Sequence, residues 1–190
     1  MKPSHLPRLF VLAARKRSLG ALAGLTLLAG AAMLPAMRTM ADHGASLLAF
    51  ESAGSVARSQ EIVSEWGAAG KDAMWWQLAL DIPFLIGYGL FAAGACTAVA
   101  ARAQRSGRQR LRRAATIIAW FGPLAAGADL LQNVSLALIL AGHEAQPWPR
   151  ISALGGYLTN ILMAIGLAFA LCGAIATRRA ASPSTAESAR

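Results

Sequence analysis

Two carboxylates, Asp81 and Asp129, stand inside apolar runs long enough to cross a bilayer, and an amide, Asn133, follows Asp129 by one helical turn. A charged side chain at membrane depth costs roughly 2.5 to 3.5 kcal/mol on insertion scales, so such a residue is first read as a functional group facing a partner or a cavity. No Lys or Arg lies inside any apolar run. Each carboxyl must therefore be met by hydrogen-bond donors or carry its own proton, and either state suits binding a donor group or passing a proton on. Tyr88, Gln132 and Asn160 complete the polar set expected to bind a ligand. The competing reading of the amides is plain hydrogen bonding between helices, worth about 0.6 kcal/mol each.

The elements that must position these groups are four apolar blocks, residues 18–37, 75–101, 114–141 and 151–177. Each reaches the roughly 20 residues that a helix needs to span the hydrocarbon. The chain has 190 residues, of which 56% are hydrophobic and only 14% charged. A soluble domain carries about 25% charged residues, so that class is excluded, and the blocks show no alternation of the kind a membrane barrel needs. The expected fold is all-α, a polytopic membrane protein with four transmembrane helices in a bundle. Counting the helical rise from the ends at Trp75, Gly142 and Ile151 puts Asp81 at a depth of ~9 Å. On the same count Asn133 and Asn160 lie at ~14 Å, and Tyr88 and Asp129 at ~20 Å.

The net charge is +9. Lys2, Arg8, Arg15, Lys16 and Arg17 precede the first block, and Arg102, Arg105, Arg108, Arg110, Arg112 and Arg113 fill the connection between the second and third. The positive-inside rule assigns both to the cytoplasm. Stacking aromatics do not accompany these cations, so nucleic acid is not an expected partner. Residues 1–17 are read as a basic cytoplasmic segment. The first apolar run exceeds the 7 to 15 residues of a signal-peptide core, which favours an uncleaved helix over a cleaved leader. Residues 178–190 are expected to be a disordered cytoplasmic tail. Cys96 and Cys172 have no motif spacing and are read as reduced packing residues.

The long connection, residues 38–74, carries helical spacing in two pieces, with Leu47, Phe50 and Ala53 in one and Ile62, Val63 and Trp66 in the other. A break is expected near Gly54, and Gly67 is placed to end the second piece. The connection should form a helical outer cap with Phe50, Glu51 and Trp66 as candidate functional residues. Trp66, Trp75, Trp76 and Trp148 are expected at the membrane interface. His43, His143 and Glu144 lack any metal-ligand spacing, and neither a phosphate loop nor a nucleophile elbow occurs. No metal or cofactor is expected.

The order Phe50-Glu51-x-Ala53, Trp66, Leu80-Asp81-x-x-Phe84, Tyr88 and Asp129-x-x-x-Asn133 resembles a group of small four-helix bacterial integral membrane proteins with no known activity. The likeness covers roughly residues 50–163 and implies a four-helix membrane architecture without implying a reaction. Where that group has an acidic residue beside the Asn, this chain has Gln132.

The leading functional expectation is a protein of the cytoplasmic membrane that binds, or helps to transport, a lipophilic small molecule at the carboxylate and amide pocket. One alternative is a membrane enzyme using a buried Asp as acid and base on a lipid-like substrate, disfavoured by the lack of a visible nucleophile or metal. The other is a structural subunit of a larger membrane complex. The expected partners are membrane lipids, with a homo-oligomer or a second membrane protein also compatible with the pattern. Eleven cations on the two cytoplasmic segments against four on the outer connections predict both termini inside. Reporter fusions after residues 60, 107, 146 and 185 are expected to read outside, inside, outside and inside; an outside signal at 107 would reverse the topology.

Overall fold

The computed structural model describes residues 6–179, which leaves Lys2 and the polar tail beyond 179 outside the described part. The described residues form seven helices: α1 (Arg8–Ala13), α2 (Lys16–Asp42), α3 (Leu47–Glu51), α4 (Val56–Arg105), α5 (Gln109–Ile118), α6 (Phe121–Leu140) and α7 (Pro147–Arg179). Four stretches are long and apolar enough to cross a membrane: Lys16–Asp42, Val56–Arg105, Gln109–Leu140 and Pro147–Thr177. The chain is thus an all-α, multi-pass membrane protein.

Helix α4 is the central element, packed against α2, α6 and α7, while α6 also lies along α7. Small residues set these contacts. Gly89 of α4 and Gly122 of α6 face each other so closely that a Cβ on Gly122 would collide with the Gly89 carbonyl. A Cβ on Gly155 of α7 would stand 2.9 Å from the Ala128 carbonyl of α6. Such spacing lets backbones approach where lipid supplies no hydrophobic drive for helix association. Gly20 and Gly24 of α2 have nothing within 4 Å of where a Cβ would stand, so their small-residue spacing serves no contact among the described residues. The outward side of α2 carries Leu27 and Leu28, about three quarters exposed at 73% and 74%.

Two breaks depart from the expected block boundaries. Gly67 interrupts α4 with φ 58° and ψ −154°, a backbone state essentially reserved for glycine, so that residues 56–66 turn away from the spanning part. The second part of α4 therefore starts just after Gly67, well ahead of Trp75. The third block divides into α5 and α6 at Ala119 and Trp120, because Pro123 has no N–H to return to the carbonyl four residues earlier. The short helix α1 was not foreseen; it buries Phe10 and Ala13 and leaves Leu9, Val11 and Leu12 exposed.

The cap is a small hydrophobic core on one end of the bundle. Ser46 and Ser55 cap α3 and α4 by accepting from Ala49 N and Arg58 N. Phe50 packs edge-on to Trp66 at 4.9 Å between ring centres, and both are buried with Met40, Met74 and Leu136. Trp66 is thus a core residue rather than an interfacial one, with its indole Nε1 donating to the Ala45 carbonyl at 2.6 Å. Its polar edge is satisfied inside the cap, which removes its reason to seek the membrane surface. Trp75 and Trp76 are exposed as an interfacial belt requires. Gln146 ties the α6–α7 turn to the cap, accepting from Val56 N at 3.3 Å and donating to the Gly54 carbonyl at 3.2 Å.

Gly67→Ala is expected to destabilise the protein by about 1 to 3 kcal/mol, since the added Cβ meets open space and only the backbone strain remains. Gly20→Ala, inside a regular helix with free space, is the matched control and is expected to be neutral or slightly stabilising. Thermal unfolding of both variants in one detergent measures the difference.

Candidate functional site

Asp81 lies on the face of α4 turned toward α6, and the Asn133 side chain donates Nδ2–H to its Oδ2 at 2.5 Å. Two turns further along α4, the Tyr88 hydroxyl donates to Asp129 Oδ2 at 2.7 Å. The two pairs run in opposite senses: α6 supplies the donor in the first and the carboxylate in the second. Their spacing follows from helix geometry, since Asp81 and Tyr88 are seven residues apart on one face and Asp129 and Asn133 are four apart on another. Leu85 and Ala125 fill the space around Tyr88 and are buried with it, with Phe84 edge-on to the phenol ring at 5.3 Å.

Helix α7 closes the site with small and hydroxyl residues. Gln132, 3% exposed, lies beneath Gly155 and Gly156, and a Cβ on Gly156 would stand 3.1 Å from its Oε1. Thr159 donates to the Ala125 carbonyl at 3.1 Å, in the layer where Ala125 packs against Tyr88. These α7 residues were not singled out from sequence. The signal that could have found them is the Gly155-Gly156 pair inside an apolar run, which marks a close helix contact.

The cap contributes a third carboxylate. Ser152 of α7 donates to the Glu51 carbonyl at 3.2 Å, which seats the end of α3 one turn above Gly155 and Gly156. Burial first, and then the like charges of Asp129 and Asp81, together push the Glu51 carboxyl up from the ordinary 4.5 to about 7. Glu51 therefore belongs to the electrostatics of the intramembrane pairs, although sequence placed it only in the outer cap. The three carboxylates do not crowd onto one point: among the described residues no three His, Cys, Asp or Glu side chains could hold one metal ion. Both ion pairs among the described residues belong to Arg58 in the cap, with Glu61 at 2.6 Å and Glu65 at 3.9 Å.

Asn160 does not join the site. It lies on the exposed face of α7, as does Tyr157 at 63% exposure, because the face turned inward carries Ser152, Gly155 and Thr159. The polar set expected from sequence drew on three helices, with Asn160 as the contribution of the last. The polar side chains on the α6–α4 contact come from two, with α7 offering Thr159. Four clefts open on the bundle, and none of these four is lined by Asp81, Asp129 or Asn133. One of them, an apolar crevice of about 260 Å³ between α4 and α6, is lined by Leu85, Gly89, Pro123 and Ala126, next to the Tyr88–Asp129 pair.

The unfolded chain loses the Glu51 proton near 4.5, whereas the folded chain holds it to about 7. Between those values the folded state binds more protons, so this contribution to stability is full below the lower value and lost as pH rises through the upper one. Thermal stability in detergent is thus expected to fall between about pH 4.5 and about pH 7, by on the order of 3 kcal/mol from this group. Glu51→Gln should flatten that dependence, and an unchanged profile would remove Glu51 from the coupled set. Compared with protein-family models, curated proteins and solved structures, the chain matches none, so the chemistry of this site is read from its own geometry.

Proposed function

We propose that this protein binds, or helps to move, a lipophilic small molecule whose hydrogen-bond-donating head sits among Asp81, Tyr88, Asp129 and Asn133. The observation that carries this reading is that two carboxylates at membrane depth each accept one hydrogen bond from the facing helix and have no cation beside them. A site rich in acceptors and poor in donors is complemented by a head group that donates, such as an amine or a hydroxyl. The apolar crevice beside Pro123 is a suitable resting place for the molecule's hydrocarbon part. Entry requires movement, either of the cap segment carrying Glu51 or of α4 against α6. The molecule sits in the cytoplasmic membrane with both termini inside, the orientation its cation distribution favours.

A second reading, a subunit of a larger membrane assembly, is favoured by Asn160 and Tyr157 on the outward face of α7. An amide directed at lipid is better satisfied by a neighbouring helix.

Asp81 separates a working site from an idle polar residue. Asp81→Asn keeps the shape and is expected to fold normally while losing the bound molecule, detected by mass spectrometry after gentle extraction. Asp81→Leu leaves Asn133 without its acceptor and should cost about 1 to 3 kcal/mol. Were Asp81 merely facing lipid, leucine would instead stabilise the helix in the membrane by about 2 to 3 kcal/mol. A leucine variant both more stable than the parent and equally loaded would end this proposal.

A further inference from the structure

At the end of the bundle opposite the cap, the largest of the four clefts, about 490 Å³, is bounded by five cations: Arg15, Lys16, Arg102, Arg105 and Arg112. They come from three separate parts of the chain, the α1–α2 junction, the end of α4 and α5. Among the described residues none of the five is paired with an acid: both ion pairs belong to Arg58, and no Asp or Glu occurs in residues 6–41, 82–128 or 145–179. Five charges uncompensated among the described residues around one concavity raise a strong positive potential and draw in a counter-ion.

The backbone adds to this field. Helix α2 begins at Lys16 with no side-chain cap and no acidic residue in its first turn, so the positive end of a 27-residue helix opens beside Arg15 and Lys16 at the cleft wall. The rest of the lining is mostly apolar, with Leu6, Val11 and four alanines, and Thr97, Gln104 and Thr116 add neutral polar groups. The neighbouring α1 shows Leu9 and Leu12 on its outer surface, as a short helix lying in a membrane interface does. A cavity with a cationic rim and an apolar wall, at the level where spanning helices leave the hydrocarbon, matches an amphiphile with an anionic head rather than a free ion.

We propose that this cleft is a binding site for the phosphate head of an anionic glycerophospholipid from the adjoining leaflet, held by Arg15, Lys16, Arg102, Arg105 and Arg112. The head takes the place of the missing acidic side chains, and the first carbons of its chains lie against the apolar wall. This site is distinct from the Asp81 pocket: along α4 Arg102 lies more than five helical turns beyond Asp81. It also distinguishes among the arginines of one short connection. Arg105 and Arg112 line the cleft, whereas Arg110 and Arg113 are exposed outside it.

The test uses the full-length protein in nanodiscs of phosphatidylcholine with a minority of phosphatidylglycerol, followed by native mass spectrometry of the lipids retained after release. Arg105→Gln/Arg112→Gln is compared with the charge-matched pair Arg110→Gln/Arg113→Gln. At about fivefold per cation near an anionic surface, the cleft pair is expected to lower phosphatidylglycerol retention by roughly 25-fold, and the outer pair by much less. Lys16→Gln, at the exposed start of α2, should lower it by about fivefold alone and keeps the test open if the double variant does not fold. Equal losses from the two pairs would mean diffuse attraction and overturn the site. Retention of phosphatidylcholine as strong as that of phosphatidylglycerol would overturn it too. Glycerol phosphate in solution is the third arm: protection by it equal to that by the lipid would show a free-anion site and reject the lipid assignment.

Discussion

A carboxylate carried into the bilayer has to meet a donor from its own chain, a ligand or a proton, and α4 and α6 answer that demand twice, at Asp81 with Asn133 and at Asp129 with Tyr88. Side chains as short as Asp and Asn reach across only where the helix axes are close. That closeness is supplied by Gly89 against Gly122, with no side chain between the two backbones, and by Gly155 against Ala128 on the neighbouring contact. The glycines and the polar pairs are thus two halves of one constraint. Each interhelical hydrogen bond contributes little by itself, about 0.6 kcal/mol on average, but its loss strands a buried acceptor at a cost of about 1 to 3 kcal/mol. The pairs fix register and rotation more than they add stability.

The cap depends on the same arrangement. Trp66 and Phe50 lock the turn at Gly67 onto the end of the bundle, and Ser152 and Gln146 tie it to α7 and the α6–α7 turn. The end of α3 is thereby held where Glu51 senses the charges of Asp129 and Asp81. Proline and glycine breaks at Pro123 and Gly67 flank this region from both sides.

Charge divides the molecule lengthwise. All the acidic residues of the described chain lie at the cap end or within the site, and the dense cations lie at the far end, where the five around one cleft have nothing of opposite sign within the described chain. The carboxylate site seeks donors and the arginine cleft seeks an anion. Their separation keeps the cations from quenching the carboxylates, which a Lys or Arg at membrane depth would do.

Four apolar spans and the glycine breaks at Gly54 and Gly67 were legible in the sequence, because hydropathy and glycine punctuation are local properties. The partners of the carboxylates required the fold. Helical spacing shows that Asp129 and Asn133 share a face, but only the crossing of α4 and α6 decides that Asn133 meets Asp81 and Tyr88 meets Asp129. Rotation about the helix axis, invisible to an apolar run that is hydrophobic all round, turned Asn160 outward and Trp66 inward. The same holds for Glu51 and the arginine cleft, whose residues come from segments far apart in the chain. The sequence determined which groups are costly in a membrane; the tertiary structure decided which of them meet, because depth follows from counting residues while facing follows only from packing.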